Sequence, residues 1–410
     1  MKFTYIDKEN LCIYTDGAVQ TMESAYITRY RELSIRDSRN KEWKKQTDNM
    51  MYDGFFNQNQ TVEASVCALT PTLKENEVLY AFSVNETSGI YRKSTDDEKK
   101  TEAHFITSND VTFQEINVRA DGMMLGTVKR DFLTSDIAVF SKQGGDYKYV
   151  TGGDSLDEHP YLSEDGEILY NSYAIGRDME NNFVKYMPSE LLKINTRSLQ
   201  IETVLSDEKY SFVKPILDKE GNLYCIRKPG EEKEKSNLLL DIILIPVRLI
   251  QAIGGFLSMF VRIFTGKPLM RGKGKTAGGG SAAKNMDEQR LFLHNHMLNV
   301  EKELKKNAKS DEGGFIPHSW QLVRFKKTGA DGFFDGGYDV NHPEELAKGV
   351  ADFVWTEEGA VYTNGKRIYT VYEDNGEWKR KKLQNVDFCV KLGAIYGENK
   401  ERKEDIFDSL

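Results

Sequence analysis

Apolar and polar residues alternate over most of this chain, and the alternation recurs in pairs of short segments. Residues 158–173 combine a short strand, the turn Asp165-Gly166 and a second alternating strand, which is a pattern typical of a β-hairpin. The same pattern appears at residues 118–128, 214–226, 352–362 and, more loosely, 69–82. The sequence therefore predicts an all-β fold built from hairpins.

The spacing of the hairpins predicts a β-propeller of four-stranded blades. Turn glycines Gly122, Gly166 and Gly221 lie 44 and 55 residues apart, close to the 40–50 residues that a four-stranded blade requires. Two further strands follow each of the first two turns. These strands are expected at residues 135–142, 147–150, 189–196 and 200–205. The count is about six blades, or seven if residues 24–60 contain another.

The two ends of the chain are expected to close the ring together. The N-terminal strands, residues 2–6 and 11–15, have no inner strand before them. The C-terminal segment 386–392 has strand character and could supply it. The basic and aromatic segment 24–60 is interpreted as a solvated strand edge or, alternatively, as an excursion that binds a partner.

One hairpin resembles a known repeat. In residues 158–170, Pro160, the Ser-x-Asp-Gly turn that starts at Ser163 and the strand pair Ile168 and Tyr170 are similar to the repeat of TolB-type, WD-like β-propellers. The resemblance covers residues 61–230 and 345–396 loosely. It implies a propeller that serves as a binding platform, and it carries over no catalytic residue.

A long apolar stretch, residues 237–262, interrupts the strand pattern. Its polar residues are separated by 7, 3, 4, 3 and 4 positions, which places them in one narrow stripe along a helix. These residues are Asp241, Arg248, Gln251, Gly255, Ser258 and Arg262. The chain thus divides into a first propeller part (1–230), an insertion of amphipathic helices with a basic glycine-rich linker (231–318) and a last propeller part (319–410).

The apolar stretch has three interpretations. A transmembrane span is disfavoured, because both flanks belong to one blade and no second span brings the chain back. A helix lying in the membrane interface is favoured, because a basic linker without acidic residues follows and would attract anionic lipid. A helix packed on the propeller or on another chain is the third. The candidate membrane- or partner-binding residues are Ile242, Leu249, Ile253, Phe256, Leu257, Phe260, Lys267, Arg271, Lys273 and Lys275.

A second helix is predicted from Met286 onward. Asn285 and Glu288 have the spacing of a capping box. Five apolar residues follow at helical spacing, namely Met286, Leu293, Met297, Val300 and Leu304. Paired with the apolar stretch, this helix would form a helical hairpin, and exchange of such hairpins between chains would produce a homo-oligomer.

Charge and cysteine content narrow the function classes. The 410 residues carry a net charge of −8, which argues against a nucleic-acid partner. The N-terminus has no apolar core of signal-peptide length, and the four cysteines are scattered without metal-binding spacing. We expect reduced thiols, a cytoplasmic location and, with the helix above, attachment to the inner face of the membrane.

Several segments resemble chemical motifs without meeting their requirements. Residues 271–276 end like a phosphate-binding loop but lack its first glycine. His294 and His296 would point in different directions on a helix, so we expect them to be solvated rather than to share a metal ion, and we expect His159 to form hydrogen bonds at a strand end. Asp331, Asp335 and Asp339 are spaced too widely for a calcium loop.

No catalytic residue, metal ligand or cofactor is therefore predicted. The favoured hypothesis is a non-catalytic scaffold that binds a protein partner on a propeller face. The alternatives are a propeller hydrolase or lyase acting on a glycan or peptide, and an oligomerisation module.

Overall fold

Four-stranded antiparallel sheets are the repeating element of the fold. The computed structural model describes residues 1–34, 36, 64–85, 87–96, 101–230, 290–308, 313–328, 337–397 and 406–409. Every strand belongs to one compact unit made of residues 1–28, 63–231 and 288–410. A second unit, residues 29–62 and 232–287, lies almost entirely outside the described residues.

The first two sheets, blades 1 and 2, contain the N-terminal strands. Blade 1 consists, from its inner strand outward, of β27 (Leu392–Gly393), β1 (Lys2–Asp7), β2 (Asn10–Thr15) and β3 (Ala18–Met22). Blade 2 consists of β4 (Ala64–Pro71), β5 (Glu77–Val84), β6 (Thr87–Ser94) and β7 (Glu102–Ser108). The C-terminal part of the chain therefore supplies the inner strand of blade 1, as predicted, with Thr4 opposite Gly393 and Tyr5 opposite Leu392. The predicted bounds 386–392 are wrong, because the strand starts only at Leu392 and residues 386–389 belong to a different strand, Glu377–Cys389.

Blades 3 and 4 contain the hairpins with the clearest sequence signal. Blade 3 consists of β8 (Thr112–Val118), β9 (Met124–Lys129), β10 (Ser135–Phe140) and β11 (Tyr147–Tyr149). Blade 4 consists of β12 (Ser155–Leu162), β13 (Glu167–Arg177), β15 (Glu190–Asn195) and β16 (Ile201–Leu205), and β14 (Phe183–Tyr186) pairs with the far end of β13. One parallel pair, Ser135 and Leu156, joins the two blades into a single nine-stranded sheet.

Blades 5 and 6 are the remaining four-stranded sheets of the described residues. Blade 5 consists of β17 (Tyr210–Leu217), β18 (Leu223–Pro229), β21 (Gln321–Phe325) and β22 (Glu344–Lys348). Blade 6 consists of β23 (Asp352–Thr356), β24 (Gly359–Thr363), β25 (Gly365–Asp374) and β26 (Glu377–Cys389). The insertion lies between β18 and β21, which are hydrogen-bonded neighbours. Both of its flanks thus belong to one blade, as predicted.

Apolar side chains fill the spaces between neighbouring blades. One cluster of buried residues joins blades 2 and 3, another joins blades 3 and 4, a third joins blades 6 and 1, and the largest joins blades 4, 5 and 6. The predicted turn glycines Gly122, Gly166 and Gly221 have φ angles of +84°, +87° and +81°, a left-handed conformation that glycine adopts without strain. These turns mark the end of the propeller where the inner strands finish, here called the lower end.

The opposite end, where the inner strands begin, is here called the upper end. Because strand direction alternates within a blade, β3 and β18 both finish there, and β4 and β21 both start there. The chain therefore leaves the blades at Met22 and Pro229 and rejoins them at Ala64 and Gln321, always at the upper end. Both long excursions of the sequence emerge from this end.

The first excursion begins with a helix, α1, described over residues 25–34. Ser24 caps it by accepting a hydrogen bond from the Ile27 N–H (3.1 Å), and the Glu102 carboxylate accepts hydrogen bonds from the N–H groups of Ala25 and Tyr26. The strand-edge interpretation of segment 24–60 is wrong for this part, because the side-chain acceptors satisfy the first amides of a helix. The remainder of that segment lies outside the described residues apart from residue 36.

The second excursion returns through a β-hairpin, where the sequence predicted a helix. Strands β19 (Arg290–Leu293) and β20 (His296–Asn299) pair in register, and only the next eight residues form a helix, α2 (Val300–Asn307). Asn299 caps α2 by accepting a hydrogen bond from the Lys302 N–H (2.9 Å). The prediction of one helix from Met286 to Leu304 is therefore wrong for the described residues before Val300.

Candidate functional site

The inner strands of four successive blades share an irregularity beside the propeller axis. Strands β4, β8, β12 and β17 each shift register against their outer neighbour in mid-strand, as a β-bulge does. In β12 and β17 the bulge contains His159-Pro160 and Lys214-Pro215, and both His159 and Lys214 adopt positive φ angles (+56° and +58°). Asn171 of β13 joins these two bulges, because its Oδ1 accepts hydrogen bonds from His159 Nδ1–H (2.9 Å) and from the Lys214 N–H (3.2 Å).

A buried ion pair joins blades 5 and 6 beside the axis. The Lys214 ammonium donates to Oδ1 of Asp352 at 2.5 Å, and both side chains are buried. Oδ2 of Asp352 accepts a hydrogen bond from the Leu392 N–H (2.7 Å) at the start of the inner strand of blade 1. Asp352 therefore connects blade 5, blade 6 and the strand that closes the ring.

Glu115 of blade 3 is a second buried carboxylate beside the axis. Burial would raise the pKa of Glu115, but the attraction of His159, Lys391 and Lys214 together with a hydrogen bond from Asn117 lowers the pKa to about 2. In return, the attraction of Glu115 and Asp352 raises the pKa of Lys391 against the effect of its own burial. The carboxylates Glu115 and Asp352 and the ammonium groups of Lys214 and Lys391 thus stabilise one another's charged forms beside the axis.

The space that remains on the axis is small. Glu115, His159 and Lys214 line a cavity of about 30 Å³ together with aromatic residues of blade 6 and the C-terminal segment. That volume holds one or two water molecules, whereas pockets for small-molecule ligands are about 300–1,000 Å³. A more open depression of about 220 Å³ lies away from the axis on blade 2, between Lys74 and Arg92.

The C-terminal segment closes the lower end of the axis. Tyr396 forms a parallel bridge with Arg119, and its hydroxyl accepts a hydrogen bond from the Leu162 N–H (3.3 Å). Its ring lies 4.9 Å from the ring of Tyr161. Further along the chain, Ile406 is buried in the core between blades 3 and 4. The C-terminal residues that the structure describes are therefore part of the propeller.

The turn between β19 and β20 closes the upper end. His294 is buried, its Nε2–H donates to the carbonyl oxygen of Ala351 (2.7 Å), and its ring lies 5.2 Å from the ring of His159. Burial, together with electrostatic repulsion from His159 and Lys391, holds the pKa of His294 well below its usual range. The interpretation of His294 as a solvated residue is therefore wrong, because a hairpin turn rather than a helix directs it inward.

A buried lysine supports the same turn. Lys228 of β18 donates a short hydrogen bond to the carbonyl oxygen of His294, and the hydroxyl of Tyr173 donates to the same oxygen at 3.1 Å. The ammonium also lies over the rings of Tyr173 and Trp320, at 5.5 and 5.3 Å from their centroids. Burial lowers the pKa of Lys228 to about 8, against the attraction of Glu158.

The ten membrane- or partner-binding residues predicted from sequence, Ile242 to Lys275, lie outside the described residues, as do Asp331 and Asp335. None of the axial groups was predicted as a site, and His159, expected at a strand end, lies in mid-strand. Two repeated signals were available in the sequence: a His-Pro and a Lys-Pro pair at matching places of successive inner strands.

Two common functional features are absent from the residues that the structure describes. No helix among them is long and apolar enough to cross a membrane. No group of three or more histidine, cysteine or acidic side chains in these ranges could hold a metal ion. The four cysteines are free thiols, three of them buried.

Comparison with known proteins gave likenesses in structure alone. No protein-family model and no curated protein matches the chain. TolB from Acinetobacter baumannii is similar over 96% of this chain and 65% of its own chain, with 8% sequence identity and a TM-score of 0.43. The tricorn protease is similar over 95% of this chain and 34% of its own chain, with 10% identity and a TM-score of 0.40. A putative 6-phosphogluconolactonase from Bacteroides uniformis is similar over 95% of this chain and 98% of its own chain, with 10% identity and a TM-score of 0.41.

The chain spans less than two thirds of the length of TolB and of the tricorn protease. At such identities and TM-scores these likenesses carry no argument about function. Four-stranded sheets around a polar axis, closed by strands from both ends of the chain, define a β-propeller. The resemblance of this propeller is to TolB-like proteins, without a specific relative.

Proposed function

We propose that this chain is a non-catalytic β-propeller that binds a protein partner and attaches to the cytoplasmic face of a membrane through its insertion. The proposal that the protein is non-catalytic rests on the structure of the propeller axis. Lys214 and Asp352 form a buried ion pair there, the ends of the axis are covered by the chain's own Tyr396 and His294, and the cavity of about 30 Å³ is ten times smaller than ordinary ligand pockets. An axis of this kind favours a rigid platform over a substrate channel.

The membrane part of the proposal rests on the sequence of the insertion and on the way the propeller holds its two ends. The Gly230 N–H donates to the Lys209 carbonyl oxygen (2.8 Å), and the return hairpin is fixed by buried Leu293 and Leu298. An apolar stretch followed by a basic linker is suited to the interface of an anionic bilayer. The upper end then faces the lipid, and the lower end is left for the protein partner.

Co-sedimentation with vesicles tests the attachment. A variant in which a Gly/Ser linker replaces residues 236–284 keeps β19, β20 and α2, which belong to the propeller. We expect the intact protein to sediment with anionic vesicles, less so with neutral vesicles or in high salt, and the variant to stay in the supernatant. An intact protein that remains in the supernatant with anionic vesicles would contradict the proposal.

Charge and mass measurements separate the alternatives. Replacing Lys267, Arg271, Lys273 and Lys275 by glutamine should weaken sedimentation with anionic vesicles and leave the folded propeller unchanged. Light scattering on the same samples measures the oligomeric state. A dimer that requires residues 236–284 and does not bind vesicles would support the oligomerisation module instead.

A further inference from the structure

Two β-hairpins at the upper end carry exposed apolar side chains. In the return hairpin, Phe292 and Met297 face each other across the strands and are 60% and 57% exposed. Their neighbours Leu293 and Leu298 are buried against the propeller, so the hairpin has one inner and one outer apolar face. In the β13–β14 hairpin of blade 4, Val184 is 57% exposed and Phe183 is 38% exposed.

The two hairpins are neighbours. Tyr173 of β13 donates to the carbonyl oxygen of His294 at the tip of the return hairpin, and the ring of Tyr173 lies 6.4 Å from that of Tyr186. Tyr186 in turn lies 5.0 Å from the ring of Phe183. A line of ring contacts therefore links the outer residues of one hairpin to the turn of the other.

The place where the insertion leaves the propeller supports a bilayer as the occupant of this apolar surface. The chain departs at Gly230 and returns at Arg290, both at the upper end. Asn237 follows Gly230 by only seven positions, so the apolar stretch starts within about 25 Å of the upper end even if the chain is fully extended. A bilayer that receives this stretch would therefore lie next to the hairpins.

We propose that Phe183, Val184, Phe292 and Met297 insert into the interfacial region of a phospholipid bilayer, so that the upper end of the propeller itself is a lipid-binding surface. The proposal rests on the membrane attachment argued above. Exposed phenylalanine and methionine side chains gain free energy by entering that region, and insertion of both hairpins would fix the direction of the propeller axis relative to the bilayer.

Vesicle partitioning of paired variants tests this surface. We expect Phe292→Ser/Met297→Ser to bind anionic vesicles at least about fivefold more weakly than the intact chain, because two partly exposed apolar side chains no longer leave water. Phe183→Ser/Val184→Ser should behave in the same way. Leu199→Ser/Ile201→Ser is the matched control, since these residues are 52% and 54% exposed at the lower end, and it should bind as the intact chain does.

Fluorescence locates the contact. Tryptophan introduced as Phe292→Trp should be quenched by brominated lipid beyond the level of the unmodified chain, and tryptophan introduced as Leu199→Trp should not. One outcome would contradict the inference alone: the intact chain binds vesicles, replacement of residues 236–284 abolishes this binding, and both upper-end double variants bind like the control. In that case the membrane attachment stands. If the intact chain binds no vesicles, the membrane attachment and the lipid-binding surface are both wrong. A change of oligomeric mass in place of vesicle binding would identify a second copy of the chain as the occupant and overturn the inference.

Discussion

Glu115 is a buried carboxylate that stays ionised because basic side chains from other parts of the ring surround it. It accepts hydrogen bonds from Asn117 (3.1 Å) and Thr127 (3.4 Å) within its own blade, while His159, Lys214 and Lys391 attract it from blades 4 and 5 and from the chain entering blade 1. The contacts that keep the charge in place thus depend on the closed ring.

The pH dependence of stability should report this environment. The pKa of Glu115 falls from 4.5 to about 2 on folding, so its contribution is fully present above pH 4.5 and is lost as the pH falls through about 2. The shift corresponds to about 3 kcal/mol. We expect Glu115→Gln to flatten the fall in the free energy of unfolding between about pH 5 and pH 2, measured by urea denaturation. Glu180→Gln, on the exposed tip of the β13–β14 hairpin, should keep the slope of the unmodified chain; equal slopes for Glu115→Gln and the unmodified chain would contradict the expectation.

At the scale of elements, the return hairpin and the helix predicted in its place bury different side chains. A helix would put Leu293, Met297, Val300 and Leu304 on one face. The hairpin instead alternates, with Leu298 3% exposed and its neighbour Met297 57% exposed. The two structures therefore predict different sensitivities at adjacent positions.

Alanine substitution distinguishes these faces. Leu298→Ala should lower the free energy of unfolding by about 2–3 kcal/mol, because it leaves a cavity in the core of blades 4 to 6. Met297→Ala should change it by no more than about 0.5 kcal/mol. Both values come from the same denaturation experiment. A larger loss for Met297→Ala than for Leu298→Ala would favour the helix.

The turn residues explain why the sequence predicted the hairpins of blades 3, 4 and 5 but not the return hairpin. The hairpins of blades 3, 4 and 5 were predicted because glycine marks each left-handed turn position. The return hairpin was missed because His294 and Asn295 fill that role, with φ angles of +47° and +56°, while the apolar spacing fits a helix. The axial site could not be predicted, since Glu115, Lys214 and Asp352 come together only through the order and register of separate blades.

At the scale of the whole molecule, closure of the ring depends on a close backbone approach at Gly393. A Cβ atom there would lie 1.9 Å from the carbonyl oxygen of Leu69 in blade 2 and 2.8 Å from Oγ1 of Thr4 in blade 1. Only glycine lets the last inner strand fit between its two neighbours.

Gly393→Ala should therefore destabilise the entire propeller. The strand has to move away from Leu69, and the pairing with Thr4 and Tyr5 weakens, for which we expect a loss of about 2–3 kcal/mol. Thermal unfolding followed by circular dichroism measures this. Gly152→Ala, where a Cβ atom meets nothing within 4 Å, is the matched control and should unfold like the unmodified chain. An unchanged melting temperature for Gly393→Ala would show that the ring does not depend on this approach.

The position of the insertion between β18 and β21 has a further consequence. A cut anywhere in residues 231–289 would leave residues 1–230 and 290–410 on separate polypeptides, yet these two parts share two hydrogen-bonded seams, β18 with β21 and β27 with β1. They are therefore natural complementation partners. Expressed as two polypeptides, they should reassemble into one propeller, and formation of the ring would then depend on the concentration of both.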